Sequence, residues 1–208
     1  MSTNRSELLP IEKEVRDQVG VYFNQVNAPK FVIGVSGGPD SVALAYLMHV
    51  LGIETVWAHV NYHLRGSDSD KDEQLVRTLA KKLNKPVHIL DLAREKPEKN
   101  VQDWARNRRM AFYNYLKKTY SADAVALGHH RDDAVETLLL KIFRGAGPTA
   151  LNRMEIFNGE HFRPLLNISK EEILAYVKEN EIPYRIDQSN NKTIYVRNFL
   201  RLEWIPEM

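Results

Sequence analysis

The sequence predicts an α/β protein: a Rossmann-like parallel sheet of about five strands with helices on both faces, and a small helical C-terminal extension. Three observations predict it. Short β-rich runs at Phe31–Val35, Thr55–Val60, Val87–Leu92 and Ala124–Gly128 alternate with longer helical patterns, and such alternation builds a parallel sheet covered on both faces. The first run reads as a buried apolar strand. It ends in a glycine turn, "SGGPDS", that opens directly into a helical pattern, and in open α/β sheets ligands bind at that carboxyl edge.

The elements follow in order. Residues around Ser6–Val26 read as an amphipathic lead-in helix. Ser41–Leu51 is apolar on most sides. Asp70–Leu83 carries Leu75, Val76, Leu79 and Leu83 at helical spacing. Val101–Lys118 carries Trp104, Ala105, Phe112, Tyr115 and Leu116, and Asp132–Phe143 carries Val135, Leu138, Leu139, Ile142 and Phe143. "RGAGP" (Arg144–Pro148) punctuates the end of this unit. The division is therefore a core over residues 1–148 and an extension over 149–208. The extension has a strand-like stretch at Phe162–Leu166 and a helix opened by "NISKEEI", where Ser169 and Glu172 form a capping box.

Bulk composition removes several function classes. The chain has 208 residues, 43% hydrophobic and 27% charged, with net charge +2. That is ordinary for a folded soluble domain and leaves nucleic-acid binding to local patches. It contains 0 cysteines, which excludes disulfides, thiolate metal sites and a cysteine nucleophile. The polar start "MSTNRSELLP" is no signal peptide, and no apolar run approaches the roughly 20 residues needed to span a bilayer. A cytoplasmic location and no membrane contact are expected.

The turn after the first strand carries the first chemistry. Gly37 and Gly38 let the backbone approach an anion, and Pro39 suits the first turn of a helix whose N–H groups and dipole favour phosphate. Ser36 and Ser41 add hydroxyl donors. The loop lacks the lysine of a G-x-x-x-x-G-K-[ST] phosphate loop. Asp40 stands in it instead, and a carboxylate beside phosphate calls for a cation between them, Mg²⁺.

Two further constellations sit at the same edge. "AHVNYHLRGSDSD" puts His59 at the end of the second strand, with His63 and Arg65 in the loop beyond. "ALGHHRDDAVET" ends the fourth strand at Gly128 and then presents His129, His130, Asp132, Asp133 and Glu136. Asp133 and Glu136, three apart, share a helix face. A His/carboxylate metal site and an acidic pocket for a cationic substrate both fit this pattern. Arg106 and Arg109 share a face of the preceding helix, and Arg108 lies on another.

"SGGPDS" resembles the signature of the PP-loop ATP pyrophosphatases. The later stretches "NVQDWARNRRMAFY", "HHRDDAVET…FRGAG", "FRPLLNISKEEILAYV" and "DQSNNKTIYVRNFLR" are similar, in order, to those of the tRNA(Ile)-lysidine synthetases. Gln102 replaces that family's usual Glu, and Met110 its usual aromatic. The resemblance implies ATP and Mg²⁺ as cofactors, with L-lysine and a tRNA(Ile) bearing a CAU anticodon as partners. ATP adenylates the 2-carbonyl oxygen of the wobble cytidine, the lysine ε-amine displaces AMP, and the tRNA changes from AUG to AUA decoding.

It also implies roles. Ser36, Gly37, Gly38, Pro39, Asp40 and Ser41 cradle the phosphates, with His59, Gly128 and His129 at the nucleotide and Asp40 on the metal. Arg106 and Arg109 stabilise charge at the α-phosphate. Asp133 and Glu136 hold lysine, with His129 as a proton acceptor. His63, Arg65, Arg197 and Arg201 contact substrate, the last two touching tRNA phosphates or AMP. Family members usually continue into domains that grip tRNA. None is expected before the chain stops at Met208, so affinity is expected from local patches, from a homodimer or from sequence elsewhere. A PP-loop tRNA thiolase would need cysteines. An amidating PP-loop ligase lacks the "HHRDDAVET" and "RNFLR" stretches. A non-catalytic tRNA-binding remnant would not need Asp40, Asp133 and Glu136 together.

Overall fold

A computed structural model of the chain describes residues 7–145 and 154–186, apart from Lys96 and Glu98. Eleven elements are described: α1 (Pro10–Tyr22), β1 (Lys30–Gly34), α2 (Pro39–Val50), β2 (Glu54–Asn61), α3 (Ser67–Lys82), β3 (Val87–Asp91), α4 (Val101–Thr119), β4 (Ala124–Ala126), α5 (Arg131–Phe143), β5 (His161–Phe162) and α6 (Lys170–Glu179). The five strands form one parallel sheet in the order β3-β2-β1-β4-β5. Chain order reverses between β1 and β4, so the crevice outside their carboxyl ends is a topological switch point.

Alternation along the strands explains the two covered faces. Phe31 and Ile33 of β1, Trp57 of β2, and Ala124 and Ala126 of β4 enter one core, with Val15, Leu44, Leu47, Val76 and Ile173 from the helices. Val32, Ala58 and Val125, each one residue along, enter a second core with Tyr113 and Leu116 of α4. Burying each such aliphatic side chain contributes about 1.5–3 kcal/mol. β1 is apolar from Phe31 onward because it lies between both cores.

Boundaries moved for local reasons. α1 is shorter than the lead-in expected: Pro10 occupies its first turn, and Glu12 accepts the Leu9 N–H at 2.8 Å. β5 stops at Phe162 instead of reaching Leu166, because Pro164 has no N–H for a ladder. The expected boundary at 148/149 lies outside the described residues. Beyond it, β5 joins the common sheet, and Phe162, Leu165, Ile173, Tyr176 and Val177 enter the main core. Phe162 stacks on Phe31 at 5.4 Å and meets Phe23 at 5.1 Å. This part of the chain is therefore built into the sheet, and it carries α6 to the active edge.

Candidate active site

The glycine turn is wired by Ser41. Its hydroxyl donates to the Gly38 carbonyl at 3.0 Å and accepts the Ser36 N–H at 3.0 Å, and the two serine hydroxyls lie 3.1 Å apart. Ser41 is buried, so it shapes the loop while Ser36 stays exposed. Gly37 has φ +95°, a backbone conformation in which a side chain is strained. Gly128 lies across the switch point against the first turn of α2. A Cβ there would stand 3.0 Å from the Asp40 carbonyl carbon and oxygen and 3.2 Å from the Ser41 nitrogen, so only glycine lets the two strand ends meet this closely.

A cleft of about 700 Å³ opens beside the loop. Ser36, Asp40, Ser41, Gly128, His129 and Asp133 line one side, and Arg106, Arg109, His161 and Arg163 line the other. The structure thus brings eight of the residues singled out in sequence to one cleft. His130, buried at 2% exposure, lies beside two of these carboxylates: its Nε2 is 3.4 Å from Asp133 Oδ2 and 3.9 Å from Asp40 Oδ1. Asp133 Oδ2 also accepts the His130 N–H at 3.1 Å.

His59 lines a second hollow of about 350 Å³, with Ser36, Arg65 and Asp72. Its Nδ1–H donates to the Val35 carbonyl at 2.8 Å, and burial holds its pKa below the usual histidine value, against the raising effect of that bond. The ring is therefore neutral near pH 7, leaving Nε2 as an acceptor.

Two of the residues singled out in sequence stand away from the cleft. Glu136 is fully buried at 0% exposure and lines neither hollow nor cleft, because one turn beyond Asp133 the α5 face points into the protein. Of the two carboxylates, only Asp133 lines the cleft. His63 also stays out of the cleft: its Nε2 lies 2.9 Å from Asp91 Oδ1 and its Nδ1 3.4 Å from Asp70 Oδ1. Arg65 does reach the loop, through a 2.6 Å ion pair with the buried Asp72. Arg108 pairs with Glu95, as its separate face requires. Arg197 and Arg201 lie outside the described residues.

Several members of the site escaped the sequence reading. Asp72 is pinned by two arginines, Arg65 and Arg185, the second at 2.6 Å. The Arg185 N–H donates to the Gly37 carbonyl at 3.0 Å, and its guanidinium also reaches Asp68 at 3.0 Å. Lys170, the first residue of α6, forms an ion pair with Asp40. Asp40, Arg65, Asp72, Lys170 and Arg185 meet around a third hollow of about 360 Å³, on the outer side of the loop. Across the cleft, Arg163 donates only to the Glu155 carbonyl, at 3.0 Å, and its buried Nε has no partner among the described residues. Burial and then the repulsion of Arg106 lower its pKa, with Glu155 opposing.

Asp40 offers one partly exposed carboxylate to the cleft, and no group of three His, Asp or Glu side chains among the described residues forms a cage. That donor set fits a magnesium ion brought in on phosphates and held by one or two carboxylates.

Comparisons with known proteins agree with this geometry. The chain is 38% identical over 184 residues to a tRNA(Ile)-lysidine synthase from Bacteroides thetaiotaomicron, covering 86% of this chain and 43% of that protein. It is 41% identical over 189 residues to one from Bacillus thuringiensis, covering 85% and 40%. It thus spans about two fifths of the length of these curated relatives. Among solved structures, a U34-tRNA thiolase from Methanococcus maripaludis with its [4Fe-4S] cluster superposes with TM-score 0.68 at 20% identity, covering 84% of this chain and 64% of that one. An NH3-dependent NAD synthetase from Campylobacter jejuni superposes with TM-score 0.55 at 16% identity, covering 84% and 75%. The PP-loop domain family matches residues 11–208, across the glycine turn and everything the switch point gathers around it, and this chain belongs to that family.

Proposed function

We propose that this chain carries the catalytic domain of a tRNA(Ile)-lysidine synthetase. On this reading it joins lysine to C2 of the wobble cytidine in a CAU anticodon through an adenylated cytidine, converting ATP to AMP and pyrophosphate. The observation that carries the reading is the convergence of the glycine turn, Asp133 and Arg106/Arg109 on one cleft. The names of the curated relatives point to the same reaction.

The residues divide the work. Ser36, Gly37 and Gly38 present the loop to the β- and γ-phosphates. Arg106 and Arg109 face the cleft where charge grows on the α-phosphate as the cytidine O2 attacks and the bond to pyrophosphate breaks. Asp40 is the metal carboxylate; magnesium bound there would neutralise charge on the leaving pyrophosphate. Asp133 receives the lysine ammonium, and the adjacent His129 takes the proton that the ε-amine must lose before it attacks C2 and AMP departs. Arg163 extends the arginine wall toward the RNA. His59 offers its neutral Nε2 to the nucleotide.

Incubation with ATP, Mg²⁺, labelled lysine and tRNA(Ile) bearing CAU tests the reading. Label is expected in the RNA at the wobble cytidine, with one AMP and one pyrophosphate released for each lysine. ATP cleavage that instead amidates a small molecule, or no label in RNA from a folded protein, would overturn it.

A further inference from the structure

We propose that Lys170 supplies the cation that the glycine turn lacks, and that it passes from Asp40 to the departing phosphates when the metal–nucleotide complex binds. This rests on reading Asp40 as the metal carboxylate. Lys170 lies 130 residues beyond Asp40 in sequence, yet its Nζ donates to Asp40 Oδ1. Two contacts carry it there. The Arg131 N–H donates to the Ile168 carbonyl at 2.9 Å, and the Lys170 N–H donates to Asp132 Oδ2 at 3.3 Å. These dock the start of α6 against the start of α5.

The position is a poor one for a lysine on local grounds. Lys170 opens α6, and the helix dipole disfavours a cation at an N-terminus. Its ion pair is also partly exposed, at 32% and 28% for the two side chains, and solvent screens such pairs. Local stability does not account for the residue, whereas an anion arriving between the α2 N-terminus and Lys170 does.

The neighbouring cations cannot make the same exchange. Arg65 and Arg185 are both held by Asp72, whose side chain is 8% exposed. Removing either from a buried carboxylate is costly. Lys170 sits on a flexible stem beside a partner with surface to spare, and its compact ammonium can turn to phosphate oxygens that enter the hollow it lines with Asp40. Before ligand arrives, Lys170 neutralises Asp40. Afterwards the metal does so, and Lys170 compensates the phosphates, so no charge in the loop is left bare at either stage.

The exchange predicts opposite shifts from one substitution. In the 208-residue chain, Lys170→Met frees Asp40, so Mn²⁺ alone, followed by water-proton relaxation, binds several-fold tighter than to wild type. Magnesium pyrophosphate, followed by calorimetry, binds about tenfold or more weakly, because a charged hydrogen bond is lost. Lys170→Arg restores pyrophosphate binding to within a few-fold. Unchanged or weaker Mn²⁺ binding in Lys170→Met, or unchanged pyrophosphate binding, overturns the proposal. Lys170→Gln, with its melting temperature measured alongside, separates these results from misfolding. Asp40→Asn tests the underlying reading separately: if it keeps wild-type Mn²⁺ affinity, Asp40 is not the metal carboxylate, while the pyrophosphate arm still reports on Lys170.

Discussion

The two sides of the cleft treat positive charge differently. On the outer side of the glycine turn each cation has a carboxylate: Lys170 has Asp40, and Arg65 and Arg185 share Asp72. On the opposite wall Arg106, Arg109 and Arg163 have no carboxylate within ion-pair distance among the described residues, though Glu155 acts on Arg163 from farther off. Paired cations are held in position and add little net field. Unpaired cations leave a positive surface that draws a polyanion from a distance. On the function proposed above, the first side holds a small, well-placed anion, the pyrophosphate, while the second faces the α-phosphate and, through Arg163, an extended anion, the RNA backbone.

The largest expected effect comes from removing the carboxylate on which the paired side turns. Asp40→Asn should lower tRNA-dependent pyrophosphate release by a hundredfold or more, roughly the cost of losing preorganised charge stabilisation, with the melting temperature nearly unchanged. Near-normal release at ordinary Mg²⁺ would remove Asp40 from the metal role. Asp133→Asn should raise the lysine KM about ten- to a hundredfold, since a charged hydrogen bond contributes about 1.5–3 kcal/mol. Pyrophosphate release without lysine should fall much less. Equal loss of both steps, rescued by added divalent metal, would instead make Asp133 a metal ligand.

Gly128→Ala sharpens the comparison by disturbing only the paired side. Its Cβ meets backbone atoms of Asp40 and Ser41, which cannot rotate away. Overpacking of this kind costs about 1–3 kcal/mol. Pyrophosphate affinity should fall while RNA affinity holds, and a parallel loss of both would show that the two sides are not independent.

What the sequence made legible follows from the range of the interactions. The strand, the Gly37–Gly38 turn and the opening of α2 are contiguous, so the loop could be read directly. The Ser169–Glu172 capping box could too, and Ser169 does accept the Glu172 N–H at 3.2 Å. Lys170 and Arg185 were not legible, because their partners Asp40 and Asp72 lie 130 and 113 residues away. Helical spacing correctly set Arg106 and Arg109 apart from Arg108. It did not show that Glu136 is buried, since sharing a helix face with Asp133 does not reveal how deep that face lies.

The smallest effect is on stability. Burial holds His59 and His161 below the ordinary histidine pKa of 6.5. The unfolded chain therefore takes up these protons at higher pH than the folded chain. The stability they contribute is full above about pH 6.5 and is lost as pH falls from there through the folded values. Glu73 and Asp72 oppose the shift at His59, and Arg77 reinforces it. Melting temperature should fall between about pH 7.5 and about pH 5.5, and His59→Gln should flatten the decline. A decline of unchanged steepness would place its origin elsewhere.

The division of charge across the cleft is tested most directly by the salt dependence of binding to a tRNA(Ile) anticodon stem-loop. Wild type is compared with Arg163→Gln, and magnesium pyrophosphate affinity is measured in parallel. The slope of log affinity against log salt is predicted to become shallower by about one, for the phosphate no longer neutralised by this arginine, with pyrophosphate affinity unchanged. An unchanged slope together with weakened pyrophosphate binding would contradict this division and place Arg163 at the nucleotide's leaving group.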